Sequence, residues 1–317
     1  MIDIKFGIKG RFMVEVIRSN GDVEELAPWQ DNLVTDLGLA MFNGSSAALS
    51  QLHVGAGSTP PAPGDLILEG RITSVGVGYS QSINYTSPSH LKYSCVATFG
   101  VGQAAGNVTE LGIGGGAGAA YLFSRALIKD EFGTPTTITT LADEQLRITY
   151  AMYWYFPETP TDSDVDINGT THTFSVMPYY VASWGFGSFS YVNGNVITPS
   201  TKVDTANSYS KHHVPKGYPY NFVAATSNIS GSTSGPGISN IVRYSDPGNF
   251  ALEWDSAWGL TAGNYGSGIG GFTFSTFTSN YSGSTYKTFW QVKVEPAIMK
   301  DDTMTFVARC RISWDRI

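Results

Sequence analysis

The stretch that decides the fold closes the first half of the chain, where residues 142–156 read Ala-Asp-Glu-Gln-Leu-Arg-Ile-Thr-Tyr-Ala-Met-Tyr-Trp-Tyr-Phe. Large apolar side chains recur at every second position, which is the period of a β-strand with one buried face. The residues that share this face are Leu146, Ile148, Tyr150, Met152, Trp154 and Phe156. The stretch therefore predicts a long strand that ends a β-rich unit.

The same pattern returns near the end of the chain, where residues 300–314 read Lys-Asp-Asp-Thr-Met-Thr-Phe-Val-Ala-Arg-Cys-Arg-Ile-Ser-Trp. The matching face consists of Met304, Phe306, Ala308, Cys310, Ile312 and Trp314. Neighbouring positions point the other way along a strand. Thr149, Ala151, Val307 and Arg309 are therefore expected to face solvent or a partner subunit.

Two further correspondences precede these closing strands. Residues 99–107, which lead to Gly112-Ile-Gly-Gly115, resemble residues 258–264, which lead to Gly268-Ile-Gly-Gly271. A weaker match sets residues 16–23 against residues 191–196. The common order predicts a duplicated β-sandwich. The alternative is chance similarity, since shared turn chemistry can produce part of it.

The rest of the chain indicates an all-β protein. Alternating runs are separated by Asn-Gly turns at residues 20–21, 168–169 and 193–194. One short helix is predicted over residues 35–42, with Thr35 as its N-cap and with Leu37, Met41 and Phe42 packing onto a sheet. Residues 156–164 contain two prolines and three acids without apolar periodicity, which is typical of a boundary. We therefore predict two tandem, jelly-roll-like β-sandwich domains, residues 1–157 and 158–317, the second a divergent duplicate of the first.

Composition narrows the function classes. Charged residues make up 14% of the chain, the net charge is −7 and the basic residues are scattered, so nucleic acid is not an expected partner. No apolar run approaches a membrane span, and the N-terminus lacks the pattern of a secretory signal, so we expect folding in a cytosol. Cys95 and Cys310 lie far apart in alternating apolar stretches and are expected to be reduced, buried thiols.

One segment invites a metal-binding interpretation. Residues 164–169, with Asp164, Asp166 and Asn168, match the first half of a calcium loop. Position twelve of that loop is Ser175, where calcium loops carry a bidentate Glu, and no helix flanks it. A hairpin with an Asn168-Gly169 turn is the stronger prediction.

A second segment has the spacing of a dinucleotide-binding glycine motif. Gly266-Ser-Gly-Ile-Gly-Gly271 runs into Phe-Thr-Phe, which predicts a following strand where that motif needs a helix. We interpret these glycines, and those of Gly112–Gly118, as backbone turns.

Catalytic interpretations find little support. The histidines, His53, His90, His172, His212 and His213, lie beside no Ser or Cys elbow. His212-His213 has the form of a metal-binding pair, although a solvent-facing loop is the expected setting. The pairs Glu253/Asp255 and Asp301/Asp302 have the form of glycosidase carboxylates, but acids at strand ends more often keep edges soluble. We expect no enzyme activity, no catalytic residue, no cofactor and no metal site.

Aromatic residues cluster at positions 179–191, with Trp184 at the centre. Such residues stack on sugars in carbohydrate-binding modules. Packing in a sandwich core or a subunit interface is the favoured explanation.

Five phrases of the first half resemble virion structural proteins of tailed bacteriophages, of the kind found as fibre, collar or tail components. They lie between about residues 10 and 157, in the familiar order, whereas the second half keeps only the closing strand and the glycine loop. The phrases are Pro28-Trp-Gln-Asp-Asn-Leu-Val-Thr-Asp-Leu-Gly-Leu39, His53-Val-Gly-Ala-Gly-Ser-Thr-Pro-Pro61, Asn107-Val-Thr-Glu-Leu-Gly112, Leu122-Phe-Ser-Arg-Ala126 and Thr137-Ile-Thr-Thr-Leu-Ala-Asp-Glu-Gln-Leu-Arg-Ile-Thr-Tyr150.

The resemblance implies a β-rich building block of the phage particle that binds copies of itself and other virion proteins, and it carries over no catalytic residues. The expected location is the virion, assembled in the cytoplasm of the bacterial host. The expected function is a structural part of the tail, of the neck or collar, or of a fibre attachment. A host-surface glycan-binding module of a tail fibre or spike is the alternative.

Overall fold

The computed structural model describes residues 1–41, 49–78, 80–84, 90–116, 121–155, 157, 159–178, 200–205, 237–260, 269–275 and 290–317. In these ranges the chain forms nineteen strands and one short helix, which confirms the all-β fold class. The first-half elements are β1 (Ile2–Ile17), β2 (Val23–Val34), α1 (Asp36–Ala40), β3 (Gln51–Gly55), β4 (Arg71–Gly76), β5 (Ser80–Asn84), β6 (His90–Thr98), β7 (Gly106–Val108), β8 (Glu110–Gly115), β9 (Tyr121–Leu127), β10 (Ile138–Thr140) and β11 (Gln145–Tyr155). The second-half elements are β12 (Thr161–Ile167), β13 (Thr170–Pro178), β14 (Ser200–Thr205), β15 (Gly237–Asp246), β16 (Asn249–Trp258), β17 (Ile269–Ser275), β18 (Trp290–Ile298) and β19 (Phe306–Arg316).

In the first half, strands β5-β6-β11-β1-β2 form one layer and strands β9-β8-β3-β4 form another. Strand β2 joins them, because most of its length pairs with β1 while Leu33 and Val34 pair with β9. A strand that passes from one sheet to another makes a corner of a sandwich. Buried side chains from both layers belong to one apolar core.

The described strands of the second half follow the same order. The series β2-β9-β8-β3 has its counterpart in β13-β18-β17-β14, and the series β5-β6-β11 has its counterpart in β15-β16-β19. All these neighbours pair antiparallel. A duplication predicts this agreement. Residues 191–196, which form the weak sequence match to residues 16–23, lie outside the described residues. By strand order, the counterpart of the β1–β2 hairpin is the β12–β13 hairpin.

Strand β1 pairs with both closing strands. Gly7–Ile17 pair antiparallel with β11, and Ile2–Ile8 pair parallel with β19. Gly7 and Ile8 pair with both strands, so β11 and β19 lie on opposite edges of β1. The division into domains at residue 157 stays a prediction, with β1 in contact with strands on both sides of it.

The closing strands have the buried faces that the alternation predicts. Leu146, Ile148, Tyr150, Met152 and Trp154 are buried on β11, and Ala308, Cys310, Ile312 and Trp314 are buried on β19. Met304 and Phe306 are half-buried, and Phe156 lies outside the described residues. Cys95 and Cys310 are free and buried, as expected.

One outward residue departs from the expectation. Val307 and Arg309 are exposed and Thr149 is half-buried, but Ala151 is fully buried. Ala151 pairs with Arg11 of β1 and lies beside β6, and both Arg11 and Lys92 of β6 reach the ring of Trp29. These large side chains cover the small methyl group.

Helix α1 is shorter than predicted. Thr35 is its N-cap, accepting a hydrogen bond from the backbone N–H of Gly38. Leu39 and Met41 are buried, Leu37 packs against the core, and Phe42 lies outside the described residues. Among the described helical residues there is no segment long and apolar enough to cross a membrane.

Candidate functional site

The calcium-like segment forms the predicted hairpin. Asn168 and Gly169 have φ values of 53° and 79° in a two-residue turn between Ile167 and Thr170. The Asp164 side chain accepts a hydrogen bond from Thr173, and Asp166 accepts one from the N–H of Gly169. In the described part of the chain no group of three acidic, His or Cys side chains is arranged to hold a metal ion.

Both glycine runs lie partly in strands. Strand β17 begins at Ile269 and includes Gly270 and Gly271, so the interpretation of these two glycines as turns is wrong, while the first three residues of the 266–271 run lie outside the described residues. The interpretation of Gly112–Gly115 as turns is wrong, because these glycines lie within strand β8. A Cβ atom at Gly114 would lie 1.8 Å from the carbonyl oxygen of Tyr121, so the strand needs glycine for close approach. Gly116, which follows β8, has a φ of 74°, a backbone conformation that favours glycine.

The proposed glycosidase carboxylates are engaged in ion pairs. Glu253 binds Arg311, and Asp255 binds Arg309 with an Nε to Oδ1 distance of 2.9 Å. Hydrogen bonds from Arg309 and from Asn240 lower the pKa of Asp255, which is opposite to what a general acid requires.

The second carboxylate pair lies in a turn. Asp301 accepts hydrogen bonds from the N–H and hydroxyl of Thr303, and these bonds lower the pKa of Asp301. Asp302 is exposed.

The remaining sequence candidates are dispersed. His53 is buried on β3, His90 is half-buried on β6, and Nδ1 of His172 donates to the carbonyl of Pro296 at 2.6 Å. The pair His212-His213 and the aromatic segment 179–191 with Trp184 lie outside the described residues.

The structure instead shows a buried charge cluster that the sequence did not single out. Arg125 of β9 and Glu110 of β8 are 3% and 0% exposed at their side chains, and they form an ion pair at 2.8 Å. The two residues are diagonal neighbours on one face of the β8–β9 ladder, because Arg125 pairs with Gly112, two positions from Glu110. Burial of two charges is costly unless further hydrogen bonds satisfy them.

Glu110 is satisfied by backbone donors from the loop that joins β3 and β4. Its Oε1 accepts from the N–H of Gly57 at 3.0 Å and from the N–H of Gly70 at 2.7 Å, and its Oε2 accepts from Nε of Arg125 at 2.9 Å. A Cβ atom on Gly57 would lie 2.4 Å from Oε1 of Glu110. The glycine therefore allows the loop to close on the carboxylate.

Arg125 binds the middle of the same loop. Its Nη1 lies 2.8 Å from the Asp65 carboxylate, and its Nη2 donates to the carbonyl of Thr59 at 3.1 Å. Glu69 closes the loop on itself by accepting from the N–H groups of Ser58 and Thr59. Hydrogen bonds from Thr59, first of all its backbone N–H, lower the pKa of Glu69. Burial lowers the pKa of Arg125, but the hydrogen bonds that it donates to Asp65 and Glu110 outweigh this effect and raise the pKa.

A second chain of buried hydrogen bonds ties β2 and β11 to β9. Nδ2 of Asn32 donates to Oγ of Ser124 at 2.7 Å, and Ser124 lies 3.0 Å from the hydroxyl of Tyr150. The Thr35 hydroxyl donates to the carbonyl of Leu122 at 2.6 Å. Burial raises the pKa of Tyr150, so its hydroxyl stays neutral in this network.

All five phrases that carry the phage resemblance contribute to these bonds. The first supplies Asn32 and Thr35, the second Gly57 and Thr59, the third Glu110, the fourth Ser124 and Arg125, and the fifth Tyr150. We call the six residues of the first network, Gly57, Thr59, Asp65, Glu69, Glu110 and Arg125, the loop clamp. The carboxylates and the guanidinium group of the clamp bind one another and backbone groups, so the clamp holds the loop 56–70 in one conformation.

The clamp presents apolar side chains at the surface. Leu66 and Ile67 of the held loop are each 56% exposed, and Tyr121 at the start of β9 is 53% exposed. The carbonyl of Leu66 accepts a hydrogen bond from the N–H of Leu122, which places the loop beside β9. Exposed apolar side chains on a rigid loop suit contact with another protein.

The sequence alone does not show that these five phrases meet in the fold. A signal was present: Glu110 and Arg125 are charged residues inside otherwise apolar strand segments, where an unpaired charge is unfavourable. No protein-family model, curated protein or solved structure matches the chain.

Proposed function

We propose that this chain is a non-enzymatic structural component of a tailed-phage particle. It is a building block of the tail, of the neck or collar, or of a fibre attachment, and it docks copies of itself and other virion proteins. The observation that carries the proposal is that the five stretches resembling such proteins meet on strand β9, where Arg125 binds residues of the second and third stretches and Ser124 binds residues of the first and fifth.

The chemistry of the clamp supports a scaffolding role. Each described carboxylate in it accepts from arginine or from backbone N–H groups, an arrangement that stabilises a shape. The rigid loop offers Leu66, Ile67 and Tyr121 to a neighbour without an ordering cost on binding. A domain division at residue 157 and an origin by duplication are part of this proposal, and the repeated strand order supports the duplication.

Immunogold labelling of purified phage particles tests the proposal, combined with sedimentation of the purified chain. We expect label at a defined place on the particle and concentration-dependent association of the chain. A chain that stays monomeric at high concentration and that antibodies do not find on particles would contradict the proposal. Saturable binding of a host glycan that Trp184→Ala abolishes would favour a receptor-binding module instead.

A further inference from the structure

A row of alternating cationic and aromatic side chains crosses the outer face of the β2-β1-β11-β6 layer. Cζ of Arg11 lies 5.9 Å from the centroid of the Trp29 ring, and Nζ of Lys92 lies 5.8 Å from the same centroid and 5.6 Å from that of Tyr153. The ring of Tyr155 stacks on that of Tyr153 with centroids 5.9 Å apart. We call these five half-buried residues the cation–aromatic ladder.

A bulge in β2 makes the ladder possible. The pairing of β1 with β2 shifts between Phe12 and Val14, so that Pro28 and Trp29 of β2 lie opposite the single residue Met13 of β1. Bulges redirect side chains, and proline at a bulge has no N–H to leave unpaired. Trp29 thereby reaches both β1 and β6.

The ladder presents positive charge to solvent. Arg11 and Lys92 lie over the faces of aromatic rings, which attract cations without neutralising their charge. Lys9 and Arg11 share the single carboxylate of Asp31, at 2.9 Å and 3.1 Å, while Lys92 forms no ion pair with the described residues. Three cations against one carboxylate form a basic patch on a chain of net charge −7.

A complementary surface exists on the same chain. Strand β12 is an edge strand of the five-stranded sheet, and Asp162, Asp164 and Asp166 on its outward face are all exposed. Val165 and Ile167 on the other face pack against the core. Alternate residues of a strand are about 7 Å apart, so the carboxylates have the same spacing as Lys9 and Arg11 on β1.

We propose that the cation–aromatic ladder docks onto strand β12 of a second copy of this chain. The proposal rests on the self-association in the proposed function and names the surfaces that carry it. Each chain carries both surfaces, so in a two-fold dimer the ladder of each copy contacts strand β12 of the other copy. Attraction between surface charges weakens with salt, so the dimer dissociates as ionic strength rises.

Charge reversal with sedimentation of the full chain tests the pairing. The ladder-reversed variant carries Lys92→Glu in the ladder and Lys9→Glu beside it in the same basic patch, and the strand-reversed variant carries Asp162→Lys and Asp166→Lys. We expect each alone to raise the dimer dissociation constant at least tenfold at low salt. We expect an equimolar mixture of the two to associate again, because each ladder then meets an oppositely charged strand.

The control is Lys5→Glu, which makes one Lys→Glu reversal of the same kind on the outer face of β1, away from the ladder, at a side chain 79% exposed. It should leave association unchanged, and restoration in the mixture shows that the reversed variants are folded. A wild-type chain that stays monomeric overturns the inference, even if that chain binds polyglutamate. The inference is also overturned if the dimer is insensitive to both reversals or if the mixture fails to associate. Particle labelling tests the proposed function separately.

Discussion

At the scale of single residues, His53 is the most unusual buried group outside the loop clamp. It is 2% exposed, and neither ring nitrogen has a hydrogen-bond partner among the described residues. Burial, with the charge of Arg71 adding to it, lowers the pKa of His53 from 6.5 to about 4. The neutral ring is therefore the form that the folded protein accepts.

The free energy of unfolding should therefore decrease as the pH is lowered from 6.5 to 4. The unfolded chain binds a proton at His53 in this window and the folded chain does not, so the stabilisation is complete above pH 6.5 and is lost as pH falls toward 4. The difference amounts to about 3 kcal/mol at pH 4 and below. Urea unfolding at several pH values checks this, with His53→Leu as the control, whose stability should change much less over that window.

Glu110 provides a second prediction at this scale. Glu110→Gln replaces a carboxylate that accepts from Gly57, Gly70 and Arg125 by a neutral amide, and it leaves the guanidinium buried beside that amide. We expect a loss of about 3–5 kcal/mol in the free energy of unfolding. The matched control is Glu25→Gln at an exposed position of β2, which should change stability by less than about 0.5 kcal/mol. Equal effects of the two substitutions would show that the clamp does not stabilise the fold.

At the scale of elements, the alternation along β11 and β19 makes their two faces respond differently. Met152→Asp and Cys310→Asp bury a carboxylate in the core and should each cost several kcal/mol. Thr149→Asp, on the outer face of β11, should cost less than about 1 kcal/mol. Thermal unfolding measures all three, and unchanged midpoints for both core variants would contradict the described register.

The sequence predicted those elements whose pattern is local. Period-two alternation was enough for β11 and β19, and the Asn168-Gly169 turn was enough for the β12–β13 hairpin. The burial of Ala151 was not predictable, because its cover depends on a bulge that turns Trp29 across two strands. The loop clamp was not predictable either, because Glu110 binds Gly70 and Gly57, which lie 40 and 53 positions away in the sequence. Contacts between such distant residues leave no periodic signal.

At the scale of the whole molecule, strand β1 links the two closing strands. Nε1 of Trp314 also donates to the carbonyl of Leu39 at 2.8 Å, the N–H of Ile317 donates to the carbonyl of Ile8 at 3.1 Å, and Arg316 forms an ion pair with Asp36. The C-terminal strand is thus bound to β1 and to α1. No local pattern predicts this pairing, because its partners lie at the two ends of the sequence.

A core change in the first few residues should therefore loosen the last strand. Ile4 is buried and pairs with Ile312, so Ile4→Asp should speed amide hydrogen exchange in β19 at least tenfold. Lys5→Asp, at the exposed neighbouring position, serves as the control and should leave that exchange unchanged. Unaltered protection of β19 in the Ile4 variant would show that β1 does not hold it.

The parallel pairing of β1 with β19 also sets an order of events during synthesis. The segment Ile2–Ile8 is translated about 300 residues before its partner on one edge, Cys310–Arg316. Until then that edge has open backbone donors and acceptors, which can pair with the β19 segment of another nascent chain. Slow translation or crowded polysomes should therefore favour strand-exchanged oligomers, and rapid completion of the chain should favour the closed form.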